Sequence, residues 1–185
     1  MTVATPAAYT FEIAQERFCL WAACRAAQAG SAKAKRIELI AALRSCGVVE
    51  SLKNPETHKW TAKEYDAAFD EWVIQAQRHL EQESKKAVMY GVVAKLLATY
   101  VKGMFLVGRL RGTNLEGHIM PPIDSLLLKG LDEAHKPQSF SQHKWQKLTQ
   151  YDFKNLVQQL RKLKKPPVYT THWELEKHWD PTIER

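Results

Sequence analysis

Apolar residues recur at helical spacing along most of this chain, and no run alternates with a period of two. Phe11, Phe18, Trp21 and Ala22 mark a helix from Phe11 to Ala29, which Gly30 stops. Ser31 is placed to cap the next helix, which carries Ile37, Leu39, Ile40 and Leu43 as far as Gly47. Asn54 and Pro55 mark a loop. Thr61 with Glu64 three residues on is a capping box, opening a helix with Tyr65, Phe69, Trp72, Val73 and Ala76 on one stripe to about Gln82. After a break near Ser84 comes the most apolar segment, a central helix over Ala87 to Val107. A loop, Gly108 to Gly117, follows. His118-Ile-Met-Pro-Pro-Ile-Asp124 then approaches in extended form, because proline fixes φ and its predecessor avoids the α region. Leu126, Leu127, Leu128 and Leu131 continue it as a helix ending near Gly130 to Ala134. Lys136 to Gln146 is polar and irregular, Tyr151 to Leu163 is a basic amphipathic helix stopped by Pro166 and Pro167, and Thr171 to Trp179 forms a last short helix.

The expected fold is therefore all-α: one compact multi-helix domain over 1–185, with N-terminal helices (1–83), a core carrying two lysines and an aspartate (84–135), and a basic helix with a tryptophan-rich tail (136–185). The Ala87 to Val107 segment is long enough to raise the question of a membrane span, but its two lysines and two glycines favour a buried core helix. The N-terminus shows no secretory pattern. Cys19, Cys24 and Cys46 are odd in number and lack paired spacing, so they read as buried small hydrophobes of a reducing, cytoplasmic protein. The histidines have no metal-ligand spacing, and neither metal nor cofactor is expected.

Charge sharpens the picture. The net charge is +7, and it is segregated: residues 84–115 hold six basic and no acidic side chains, and residues 136–165 hold eight basic and one acidic. Clustered Lys and Arg favour a polyanionic partner, since they release condensed counterions on meeting phosphates.

Within the central helix Lys95 and Lys102 are seven apart and project from one face, with Thr99 between them. Enclosure of that face would desolvate a lysine and favour the neutral, nucleophilic amine. Asp124, at the start of an apolar helix, is a fixed carboxylate or simply a helix cap.

Gly91-Val-Val-Ala-Lys95, followed after 29 residues by Pro122-Ile-Asp124 and then Lys129-Gly-Leu131, resembles the helix-hairpin-helix superfamily of DNA glycosylases. Two lysines seven apart before a distant aspartate are most similar to its archaeal 8-oxoguanine branch, and the likeness extends to phage-defence glycosylases acting on glucosylated hydroxymethylcytosine. The resemblance covers about residues 85–135. It departs from the family at the Leu-Pro-Gly-x-Gly hairpin, of which only Gly91 remains.

That resemblance implies excision of a flipped, modified or damaged base from duplex DNA by a monomer. Lys95 would be the nucleophile of a Schiff base, Asp124 the stabilising carboxylate, and Lys102 a second nucleophile or base contact. Trp21, Tyr100, Trp173 and Trp179 are candidates for stacking the base, and Glu174, Glu176 and Asp180 for its polar edge. Lys85, Lys86, Arg109, Arg111, His118, Lys154 and Arg161 are candidates for the DNA backbone. The polar loop Arg109 to His118 would give room for a bulky base. The competing expectations are a non-enzymatic helical DNA-binding regulator using the basic helix Lys154 to Lys165, and a helical module that meets an acidic protein.

Overall fold

The computed structural model describes residues 9–29, 33–53, 55, 60–163 and 171–181. Among these there is no strand, and the all-α expectation holds. Among them, too, seven α-helices run in order: α1 (Phe11–Ala29), α2 (Arg36–Ser45), α3 (Val48–Ser51), α4 (Ala62–Ser84), α5 (Tyr90–Leu106), α6 (Ser125–Ala134) and α7 (Gln150–Arg161). Short 3-10 turns lie at Asn114–Gly117, Trp145–Lys147 and Trp173–His178.

Local chemistry sets most of the ends. Thr61 accepts from the Glu64 amide at 3.2 Å while Glu64 accepts from the Thr61 amide at 2.8 Å, the reciprocal cap that starts α4. Thr149 and Asp152 repeat the device at α7. The second helix ends at Ser45, close to the expected stop at Gly47, and Gly47 in a left-handed conformation (φ 88°) restarts the chain as the additional short helix α3. The central helix begins at Tyr90 rather than Ala87: Lys85 closes α4 with φ 55° and the next residues run to an extended Met89. The short helix expected in the tail is of 3-10 type and spans Trp173–His178. The expected roles of Ser31, Asn54, Pro166 and Pro167 lie outside the described residues.

Helix α5 is the axis of the molecule, buried around most of its circumference. It packs chiefly on α1 and α4, with α7 and the 145–147 turn on its other sides. Gly103 permits the close approach of α1, since a Cβ there would stand 3.0 Å from Cys19 Sγ. All three cysteines are buried and unpaired, and burial pushes their thiols up to about 11. Among the described residues no helix is long and apolar enough to cross a membrane.

Candidate active site

Asp124 is the extended N-cap of α6, and its two carboxylate oxygens have separate partners. Oδ1 accepts the amides of Leu126 and Leu127, both at 3.0 Å. Oδ2 turns towards α5 and accepts from Lys95 Nζ at 3.1 Å and from the indole N–H of Trp179 at 3.0 Å. The lysine and aspartate side chains are only 11% and 12% exposed. Lys95 is thus largely enclosed, as expected from an apolar helix, and it is held directly against the Asp124 carboxylate. Its ammonium also lies 4.5 Å from the centre of the Trp145 ring, a cation–π contact.

Two turns further along the same face, Lys102 pairs with Glu176 and lies 4.8 Å from the centre of the Trp179 ring. Burial lifts the Glu176 carboxyl above its ordinary value; the bond and charge of Lys102 pull it down without prevailing, and the charge of Asp124 adds to the rise. Between the two lysines, the Thr99 hydroxyl donates back to the Lys95 carbonyl at 2.8 Å. Trp179 therefore bridges two lysine–carboxylate pairs, with its N–H on one and its ring on the other.

Two glycines bring these tryptophans in. A Cβ on Gly91 would collide with the Trp145 carbonyl oxygen, and one on Gly130 with the carbonyl oxygen of His178. The Gly91 amide also donates to the Leu148 carbonyl at 3.1 Å. Trp145 is the site residue that sequence reasoning missed; an isolated tryptophan in an irregular segment carries no local sign of its partner.

Beside Lys102 opens a cavity of about 500 Å³, walled by Phe105, Trp173 and Trp179, with Pro121, Glu174 and Glu176 also on its lining. Trp173 packs on Phe105, ring centres 5.1 Å apart, and its buried Nε1 has no hydrogen-bond partner. Glu174 is engaged locally, accepting from the amide and hydroxyl of Thr171 at 2.9 Å each. Asp180 follows Trp179 but is not on the lining. The room comes from the C-terminal arm (171–181) and Ile119 to Pro121, not from the Arg109 to His118 loop as expected.

Other expected site residues sit elsewhere. Tyr100 is 0% exposed, with a buried hydroxyl that has no partner, so it offers no face to a base. Five residues beyond Lys95 it lies about 140° around the helix, turned into the core. Trp21 is 49% exposed on α1 beside Phe18 and lines no part of the cavity. Arg161 grips Asp66 with both terminal nitrogens, and Lys154 meets Asp70 at 2.8 Å, so both are used to hold α7 on α4. Arg109 donates to the Lys53 carbonyl at 3.0 Å. His118 lies 3.2 Å from the Trp60 carbonyl and stacks on Tyr65. Lys85, Lys86 and Arg111 are exposed. No group of histidine, cysteine or acidic residues among the described residues is arranged to hold a metal ion.

Comparison with protein-family models, with curated proteins and with solved structures found no match. The site combines an amine and a carboxylate within proton-transfer distance, shielded from bulk water, with an adjacent aromatic cavity that has a second amine–carboxylate pair on its wall.

Proposed function

We propose that the protein is a DNA glycosylase that cleaves the N-glycosidic bond of a flipped, modified base. The observation that carries the reading is the contact of Lys95 Nζ with Asp124 Oδ2 at 3.1 Å, at a capped helix start beside the aromatic cavity. The target base, once out of the stack, enters the cavity against Trp173 and Trp179, with its polar edge towards Lys102 and Glu176.

The Lys95 ammonium passes a proton to Asp124 Oδ2, and the freed lone pair forms a bond to C1′ of the deoxyribose. The C1′–N bond breaks as this bond forms, and its electron pair leaves on the base, which takes a proton from the Lys102–Glu176 pair. As the C1′–O4′ bond breaks, an N–H proton passes from the lysine nitrogen to O4′, which opens the sugar ring and leaves an iminium on Lys95. Asp124, having released its proton to water, then takes a C2′ proton, and the electron pair of that C–H bond expels the 3′ phosphate and cuts the strand. Anchoring of Oδ1 by two amides keeps Oδ2 in place throughout, the preorganisation on which electrostatic catalysis depends.

A cavity of about 500 Å³ has more room than an unmodified base needs. The cavity has room for 8-oxoguanine and for a bulkier base such as glucosylated hydroxymethylcytosine of phage DNA, and its lining is mainly apolar and aromatic. The reading as a non-enzymatic regulator relied on the basic helix, whose Lys154 and Arg161 are occupied by Asp70 and Asp66.

Borohydride trapping on a panel of duplexes with 8-oxoguanine, uracil, alkylated bases and glucosylated cytosine tests the proposal. The expected result is a covalent adduct on one substrate that disappears in Lys95→Ala. Intact substrates throughout, with DNA still bound, would sink the enzymatic reading.

A further inference from the structure

A second cavity, of about 590 Å³, lies where the C-terminal ends of α1 and α4 meet the N-terminal ends of α2 and α5. Its floor is apolar, and its lining includes Lys33, Lys35 and Lys86 with Glu38, Glu83 and Gln146. Gln146 belongs to the 145–147 turn, which packs on α5, and the Gly91 amide donates to the Leu148 carbonyl at 3.1 Å, so the backbone of Lys144 and Lys147 runs close to the rim of this cavity; Lys85 adjoins Lys86 in the chain. All six lysines are exposed, and none forms a salt bridge among the described residues. They come from three separate stretches of chain.

This concentration of uncommitted positive charge contrasts with the basic helix. The groups of α7 that look most suited to a polyanion, Lys154 and Arg161, are neutralised by α4. Helix α5 adds the positive end of its dipole to the lysine face, for its first turn has no acidic residue and Met89 supplies no side-chain cap. The turn that delivers Lys144 and Lys147 also delivers Trp145, whose ring covers Lys95. A phosphate strand lying on these lysines would thus be tied directly to the reacting amine. Gly91 cannot serve the strand in their place, because its amide is given to Leu148 and its open side is filled by the Trp145 carbonyl.

We propose that Lys85, Lys86, Lys144 and Lys147, with Lys33 and Lys35 at the margin, form the phosphate-binding face that seats a DNA strand across the N-terminus of α5. The assignment rests on the glycosylase reading for its partner. The lysine face binds phosphate without reading sequence, so it sets the register of the strand and leaves base choice to the aromatic cavity.

The test is the salt dependence of binding to a fluorescent duplex carrying a tetrahydrofuran abasic site, with the full chain. In a Lys85/Lys86/Lys144/Lys147→Ala variant the slope of log affinity against log salt becomes shallower by about one for each phosphate that is no longer neutralised. A Lys63→Ala control, at the far end of α4 and about 30 Å from Lys85 by helical rise, keeps the wild-type slope. Thermal midpoints of both variants match wild type, as expected of exposed side chains. An unchanged slope in the four-lysine variant, or an equal change in the control, overturns the face while leaving the enzymatic reading standing. Absence of salt-dependent DNA binding by the wild type overturns both. Competition by polyglutamate as effective as that by duplex, charge for charge, makes the face a dock for an acidic protein and overturns the proposal.

Discussion

Asp124 does two jobs with two atoms, and substitution separates them. Asparagine still offers an oxygen to the Leu126 and Leu127 amides but no longer matches the charge of Lys95. Asp124→Asn is expected to stay folded, to bind DNA and to lose turnover by about a hundredfold or more. Asp124→Ala loses the cap as well, at a further cost of about 1 kcal/mol in stability. Denaturant melts alongside base-release assays on the two variants distinguish these effects, and full turnover in Asp124→Asn would remove the aspartate from the chemistry. Two other carboxyls make opposite predictions with pH. Glu176 is raised above 4.5 by burial, so its favourable contribution is complete below that value and is lost as pH rises through its folded value. Glu176→Gln should therefore gain on wild type in denaturation midpoint between about pH 4 and about pH 7. Burial pushes Asp70 up too, but the bonds from Lys154, Tyr90 and Gln150 together outweigh it and hold the carboxyl below 3.8. Its contribution is complete above that value and fades as pH falls through the folded one, so Asp70→Asn should be costly at about pH 7 and nearly neutral at about pH 2.

Elements meet at this site through glycine. On propensity alone, alanine at Gly91 or Gly130 would stabilise α5 or α6 by about 0.5–1 kcal/mol. The collisions with the carbonyls of Trp145 and His178 reverse the sign, and each substitution is expected to cost about 1–3 kcal/mol in chemical denaturation. A stabilised Gly91→Ala would mean that the 145–147 turn is not seated on α5. At this scale the sequence is readable wherever a signal is local. The Thr61–Glu64 cap, the span of α1 and the opening of α6 at Asp124 follow from neighbours a few residues apart. Gly91 shows where such reading ends. It resembles the remnant of a hairpin, yet the space it leaves is taken by a carbonyl 54 residues later. The same holds for α7, whose basic face looks free in sequence and is met by two aspartates of α4.

For the molecule as a whole, the helical class and the placing of Lys95 opposite Asp124 were legible, the first from periodicity and the second only through resemblance. The direction of Tyr100 was open to inference from spacing, because it cannot share the face of Lys95. Trp145 was not, since its meeting with Lys95 depends on how a turn packs on a distant helix. The C-terminal arm is the largest nonlocal contribution. Leu175 is fully buried and anchors it, so Leu175→Ala should lower stability by about 2–5 kcal/mol and weaken base release through disturbance of Trp179. Thermal melts and single-turnover assays measure the two effects, and normal activity at a lowered midpoint would show that the arm is scaffold only. Trp179 reaches back 55 residues to Asp124, and Glu176 reaches back 74 to Lys102. During synthesis, therefore, the helices that carry the amines leave the ribosome well before the segment that walls the cavity. A chain interrupted before residue 171 has Lys95 and Asp124 but lacks the tryptophans that would hold a base. On the glycosylase reading, competence to hold a base arrives only with the 171–181 arm, so a full set of amines and carboxylates is in place only once nearly the whole chain has been made.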